Sequence, residues 1–142
     1  GKVGEERLEK PKASTANVGI FIEKASRYTA IDRLTPELLG YSSSGPGWMP
    51  DSALPGNEGM SVILGHRNRK HLRPLQDVKI GDAVSAGREY AYTVFEIVIY
   101  EDSADWRLPT ADGNVLVLVT CYPFRYSGNA PGKYMVTAIM TY

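Results

Sequence analysis

No stretch of this sequence approaches the roughly 18 to 20 consecutive apolar residues that a membrane-crossing helix needs, and no secretory leader is visible. The chain opens Gly1-Lys2-Val3 without an initiator methionine, which reads as a trimmed or processed start, so the lack of an anchor within it carries no weight. Excess charge of either sign is also missing: 16 Lys and Arg stand against 16 Asp and Glu, for a net charge of zero. Without a broad basic field, nucleic-acid binding drops out as a leading function. Cysteine is scarcest of all. The single thiol, Cys121, forbids an intrachain disulfide and stays free. A lone thiol is either a core residue, because free cysteine is among the most buried side chains, or a nucleophile. Internal repeats and low-complexity tracts are absent as well.

What is present amounts to one domain. A chain of 142 residues fits a single unit that buries roughly two-thirds of its unfolded surface. Residues 1–17 are charged and poor in large apolar groups, which predicts a flexible lead-in before a folded domain over residues 18–142. Val18–Ile22 and Tyr28–Ile31 are short apolar runs suited to strands. Thr35-Pro36-Glu37-Leu38-Leu39-Gly40 carries helix start and stop signals and predicts one short helix. Residues 42–59, dense in Gly, Pro and Ser, predict a long connection. Met60–Leu64 is a buried-strand candidate running into Gly65-His66-Arg67, and Leu72 with Leu75 marks a short amphipathic helix.

From Ala83 onward the pattern is β. Glu89–Glu101 is rich in Tyr, Val, Ile and Phe on both alternating faces, which predicts a long strand covered on both sides. Asp102–Asn114 is a polar loop with Pro109 and an Asp112-Gly113 turn signal. Val115–Val119 is the most hydrophobic strand, and Lys133–Thr141 is the last. Many strands, long loops and little helix predict an all-β barrel or sandwich.

Chemistry concentrates at strand ends. Cys121 sits where the strand of Val115–Val119 gives way to a loop containing Pro and Gly, held by rigid backbone yet able to face a cleft. His66 sits at the corresponding end of Met60–Leu64. A thiol becomes a useful thiolate at neutral pH only with a base or imidazolium nearby. His71, among Asn68, Arg69, Lys70 and Arg73, belongs to a solvated face instead. Cys121 and His66 are 121 − 66 = 55 residues apart, so only the fold can join them. Attack of a thiolate on a carbonyl also needs a donor for the developing oxyanion. Arg67, Arg125 and Lys133 lie near the strand ends, and each by itself is equally an ordinary surface charge. Glu101, Asp102, Asp105 and Asp112 do not have the spacing of an EF-hand loop and read as solvated turn acids, so no metal and no cofactor is expected.

Two blocks of the chain resemble a known family. Val115–Ala138 (VLVLVTCYPFRYSGNAPGKYMVTA) is similar to the signature of sortases, whose catalytic strand ends in Leu-x-Thr-Cys. Its Cys-Tyr-Pro-Phe continuation and Gly-x-Ala-Pro loop resemble the class D and class E branches. Ala53–Val84 resembles the family's other block, with Leu-Pro-Gly, an apolar strand, Gly-His-Arg, a short helix and Gly-Asp. Order and spacing agree over about residues 53–140.

The resemblance implies an eight-stranded closed β-barrel with one or two short helices and a Cys-His-Arg active site at one end. It implies cleavage of an LPxTG-like sorting signal on a surface protein, between Thr and Gly, through a thioacyl-enzyme on Cys121. An amine of lipid-linked peptidoglycan precursor, or a pilin lysine, then resolves that intermediate, with His66 as acid and base. A membrane anchor outside this sequence and a place on the outer face of the bacterial membrane are implied too. By register the family's arginine falls on Lys133 in Ala130-Pro131-Gly132-Lys133, with Arg125 or Arg67 as substitutes. Lysine keeps the charge and loses the planar fork. Thr120, Val98, Trp106, Leu108 and Gly132 are the expected substrate contacts, with Val98, Trp106 and Leu108 forming an apolar slot and Gly132 letting backbone approach. A mainly hydrolytic or pilin-building enzyme, and a catalytically weak peptide-binding barrel, are the competing functions.

Overall fold

β-Branched and aromatic residues dominate the strands of this chain, and their alternation decides which side of each strand is buried. The structure, a computed structural model, describes residues 20–24, 27–31, 41–42, 45–49, 52–67, 72–86, 89–128 and 130–140. The strands are β1 (Ile20–Lys24), β2 (Arg27–Ile31), β3 (Tyr41–Ser42), β4 (Gly45–Trp48), β5 (Gly59–Leu64), β6 (Ala83–Ala86), β7 (Tyr90–Tyr100), β8 (Asn114–Tyr122) and β9 (Gly132–Met140). They form one sheet in the order β2-β1-β6-β7-β9-β8-β5-β4-β3, curled into a half-barrel. The all-β architecture is as expected, with two differences of detail among the described residues. Nine strands stand where eight are implied, and β4, with the second residue of β3, falls inside the connection expected at 42–59. The order is also open-ended rather than a closed ring, running from β2 to β3. The lead-in at 1–17, the helix expected at 35–40 and His71 lie outside the described residues.

β8 is the axis of the core. Leu116 and Leu118 face the interior, packed with Trp48, Leu72, Leu75, Tyr92 and Val136. Val115, Val117 and Val119 face outward into a second cluster with Val62, Leu64 and Met135. Burial on both faces explains why β8 reads as an unbroken apolar run rather than an alternating one. Fully burying each such side chain contributes about 1.5–3 kcal/mol. The strand also runs further than its apolar run, through Cys121 to Tyr122.

β7 departs from its expected two-sided cover. Phe95 and Ile99 are 41% and 46% exposed. A register irregularity falls between Val94 and Glu96. The extra residue of such a bulge reverses the facing parity of everything beyond it. Tyr92 and Val94 therefore point inward before the bulge, whereas Val98 and Tyr100 reach the outer cluster after it. Leu72 and Leu75 are buried as the amphipathic pattern requires, but the element is a single 3-10 turn, Arg73–Asp77, with Pro74 near its start. At the end of the barrel, Tyr134 stacks on Tyr122 (6.0 Å between centroids) and meets Phe124 edge to face (4.9 Å).

Two outcomes follow from this packing. Gly132 is buried, and a Cβ there would drive into the main-chain carbonyl of Tyr100. Gly132→Ala must part β7 from β9, so urea denaturation is expected to show a loss of about 1–3 kcal/mol; an unchanged midpoint would mean the two strands relax freely. Burial, and after it the neighbouring Tyr122 and Asp77, raise the Tyr134 phenol above its ordinary value of 10.0. A raised folded-state value means the neutral phenol is favoured by folding. Its contribution is whole below about pH 10 and is lost as pH rises through the folded value. Melting temperature measured against pH is expected to fall less steeply above that point in Tyr134→Phe than in the parent chain.

Candidate active site

The β5–β8 pair is parallel, and its register joins residues a constant distance apart: Gly59 with Asn114 through Leu64 with Val119, an offset of 119 − 64 = 55. Cys121 and His66 differ by the same 55 positions. Gly65 N–H donates to the Val119 carbonyl at 3.1 Å, carrying the ladder one step beyond Leu64. His66 is the next residue, just outside the strand. Paired residues share a face, and Leu64 and Val119 both face the outer cluster. Cys121, two residues beyond Val119 on the same strand, faces that same side. His66 is exposed and Cys121 half-buried.

The antiparallel partner of Cys121 on β9 is Lys133. The Lys133 ammonium donates to the Cys121 sulfur at 3.7 Å. A positive charge thus stands beside the sulfur. Of the three basic candidates, then, Lys133 meets the thiol. Arg125 lies exposed in the loop between β8 and β9.

Arg67 has another occupation. Its Nη1 donates to the Phe124 and Tyr126 carbonyls, both at 3.0 Å, and its Nη2 to the Gly128 carbonyl at 2.6 Å. Its own carbonyl accepts from Arg73 Nε at 3.1 Å. The guanidinium clamps the β8–β9 loop onto the segment carrying His66, which turns its fork away from the oxyanion role. Five donors in one rigid plane suit it to gather several carbonyls at once. Nothing in the sequence announces this beyond the position of Arg67 next to His66, since the three acceptors are main-chain groups without a residue signature.

The expected substrate contacts divide. Val98 and Trp106 pack against the outer cluster, on the apolar wall leading to Cys121. Met49, Met60, Tyr100 and Ala111 line the same wall and carried no prior signal. Leu108 is 39% exposed in the loop above it. Alternation along β8 turns the fully buried Thr120 side chain to the interior, opposite Cys121, and its hydroxyl has no hydrogen-bond partner. Gly132 is buried, and a Cβ there would meet the Tyr100 carbonyl. The loop over residues 101–113 is tied down by Ser103 N–H on the Pro131 carbonyl at 2.8 Å, by the Asp102 carboxylate on Ala104 N–H at 2.9 Å, and by the Tyr100 hydroxyl on the Arg107 carbonyl at 3.3 Å. Among the described residues no group of three or more His, Cys, Asp or Glu side chains is placed to hold a metal ion.

A family model for the Sortase domain matches residues 20–141. Sortase D of Bacillus subtilis (strain 168) is 34% identical over 96 residues, covering 65% of this chain and 48% of that protein, so the chain spans about half the length of this curated relative. Among solved structures, the catalytic domain of B. anthracis SrtD is similar with a TM-score of 0.63 and 25% identity, over 89% of this chain and 87% of that one. Sortase A from Corynebacterium diphtheriae, in a lid mutant, is similar with a TM-score of 0.66 and 25% identity, over 99% of this chain and 75% of that one.

Removing the Arg67 clamp tests what it holds. Charge-assisted hydrogen bonds contribute about 1.5–3 kcal/mol each when shielded, and less here, where two of the three are exposed. Arg67→Met is expected to speed amide exchange in residues 124–128 about tenfold, an opening cost lower by about 1.4 kcal/mol. Arg67→Lys is expected to restore little, because one ammonium cannot span three carbonyls. Exchange indistinguishable from the parent chain would mean the loop is held by other contacts.

Proposed function

The chain belongs to the sortase family, and from that premise we propose that it is a cysteine transpeptidase acting on sorting signals of the LPxTG type. Cys121 attacks the carbonyl between Thr and Gly of the signal, and the Gly-side amine leaves as a thioacyl-enzyme forms. His66 protonates that leaving amine and later takes a proton from the incoming one. Lys133 stabilises the oxyanion during attack. An extended signal lies along the apolar wall of Val98 and Trp106, with Leu108 above it, which supplies burial for its leucine and proline. The acceptor is an amine of cell-wall precursor, and the enzyme works at the outer face of the membrane. The observation that carries this assignment is the shared offset of 55 between the β5–β8 register and the Cys121–His66 pair, with Lys133 Nζ 3.7 Å from the sulfur on the other side.

Lysine in place of arginine shapes the expected rate. A point charge replaces a planar fork, so one oxyanion hydrogen bond is weaker or absent, and loss of one such donor typically slows acyl transfer about a hundred- to a thousand-fold. Cleavage of a fluorogenic LPxTG-type peptide, with and without hydroxylamine as acceptor, tests the assignment. Hydroxylamine is expected to accelerate cleavage, Cys121→Ala to abolish it, and His66→Ala to lower it at least about a hundredfold. Lys133→Arg is expected to preserve or raise it. Cleavage indifferent to added amine points to a hydrolase, and peptide binding without turnover sinks the catalytic assignment altogether.

A further inference from the structure

We propose that Lys133 is an internal acyl acceptor, a residue that captures the acyl group from Cys121 and holds it permanently as an amide. This rests on the thioacyl function proposed for Cys121 and adds a fate for that intermediate. Lysine differs from the arginine implied at this position in one chemical respect besides shape. A guanidinium stays protonated and is not a nucleophile, whereas an ε-amine that gives its proton to solvent has a lone pair.

Placement does the rest. Lys133 is paired directly opposite Cys121 in a ladder that runs without interruption from Val115–Ile139 to Tyr122–Gly132. Its backbone is held on both sides, because β9 pairs with β7 at Tyr100–Lys133 and with β8 at Cys121–Lys133. The Nζ atom lies 3.7 Å from Sγ. In the thioacyl-enzyme the carbonyl carbon is one covalent bond from that sulfur, so it falls within reach of the roughly 3–3.5 Å at which held groups react. Neutral Nζ attacks the carbonyl carbon, the C–N bond forms, the C–S bond breaks, and its electron pair returns to sulfur. The proton lost by nitrogen ends on the thiolate or in solvent. No oxidant or co-reactant is needed. The amide is far less reactive than the thioester, and it also removes the positive charge beside Cys121. An acyl-enzyme that waits without an external amine therefore inactivates itself.

A small aryl thioester, thiophenyl acetate, tests the shift without depending on peptide recognition. The parent chain is incubated with it, and separately with an LPxTG-type peptide, in the absence of amine. Each sample is then treated with neutral hydroxylamine, which cleaves thioesters and spares amides, and mapped by mass spectrometry. Acetyl on Lys133 is expected to survive at least tenfold above that on the exposed Lys79, and to fall to the Lys79 level in Cys121→Ala. Lys133→Arg is expected to carry only hydroxylamine-labile acetyl. Labelling that is wholly labile in the parent chain overturns the proposal, as does Lys133 acetylation undiminished in Cys121→Ala. Labile peptide adducts alone would overturn the acyl shift and leave the transpeptidase standing. Thioester transfer to Lys133 with no peptide adduct of any kind would support the shift and count against the sorting-signal assignment.

Discussion

One parallel strand pair organises the chemistry of this protein. β5 and β8 are joined at a fixed offset of 55 residues, the same number that separates His66 from Cys121. Parallel neighbours cannot be joined by a tight hairpin, so everything between them, including β6 and β7, has to travel around the barrel first. A slip of one residue in this register would turn the side chains of a strand to its opposite face. The apolar identities of Val62, Leu64, Val117 and Val119 on the outside, and of Ile63, Leu116 and Leu118 on the inside, make such a slip costly at every step. The packing of the core thus also fixes the face of the sheet on which Cys121 stands.

Around that pair the site is finished by loops fastened to each other. Arg67 gathers three carbonyls of the β8–β9 loop, and Ser103 fastens the loop over 101–113 to Pro131. These contacts are main-chain acceptors met by a few donors, which holds loop geometry without demanding particular side chains along the loop. The bulge in β7 serves the same end. By reversing parity after Val94 it sends Val98 and Tyr100 to the outer wall, and it leaves Phe95 exposed as the accompanying cost.

Lysine beside the thiol combines three properties that arginine would divide differently. It brings positive charge to the sulfur, it offers fewer fixed donors to an oxyanion, and it carries a latent nucleophile. In the proposed reaction the first property helps, the second slows, and the third sets a lifetime on the acyl-enzyme. Which property governs the enzyme's output depends on how quickly an external amine arrives.

Much of this was legible in the residues alone. The apolar runs of Val115–Val119 and Met60–Leu64 and the final strand over Lys133–Thr141 each follow from side chains that need burial, and local patterning is sufficient to read them. The two motif blocks pointed to the family, and with it to Cys121, His66 and Lys133. Tertiary structure decided what spacing cannot: that Thr120 turns inward, that Gly132 is held by a carbonyl of β7, that Arg67 binds loop backbone, and that β3 and β4 form within a segment rich in Gly and Pro. Each of these depends on what stands across the sheet or the loop, and a neighbour remote along the chain leaves no mark on local sequence.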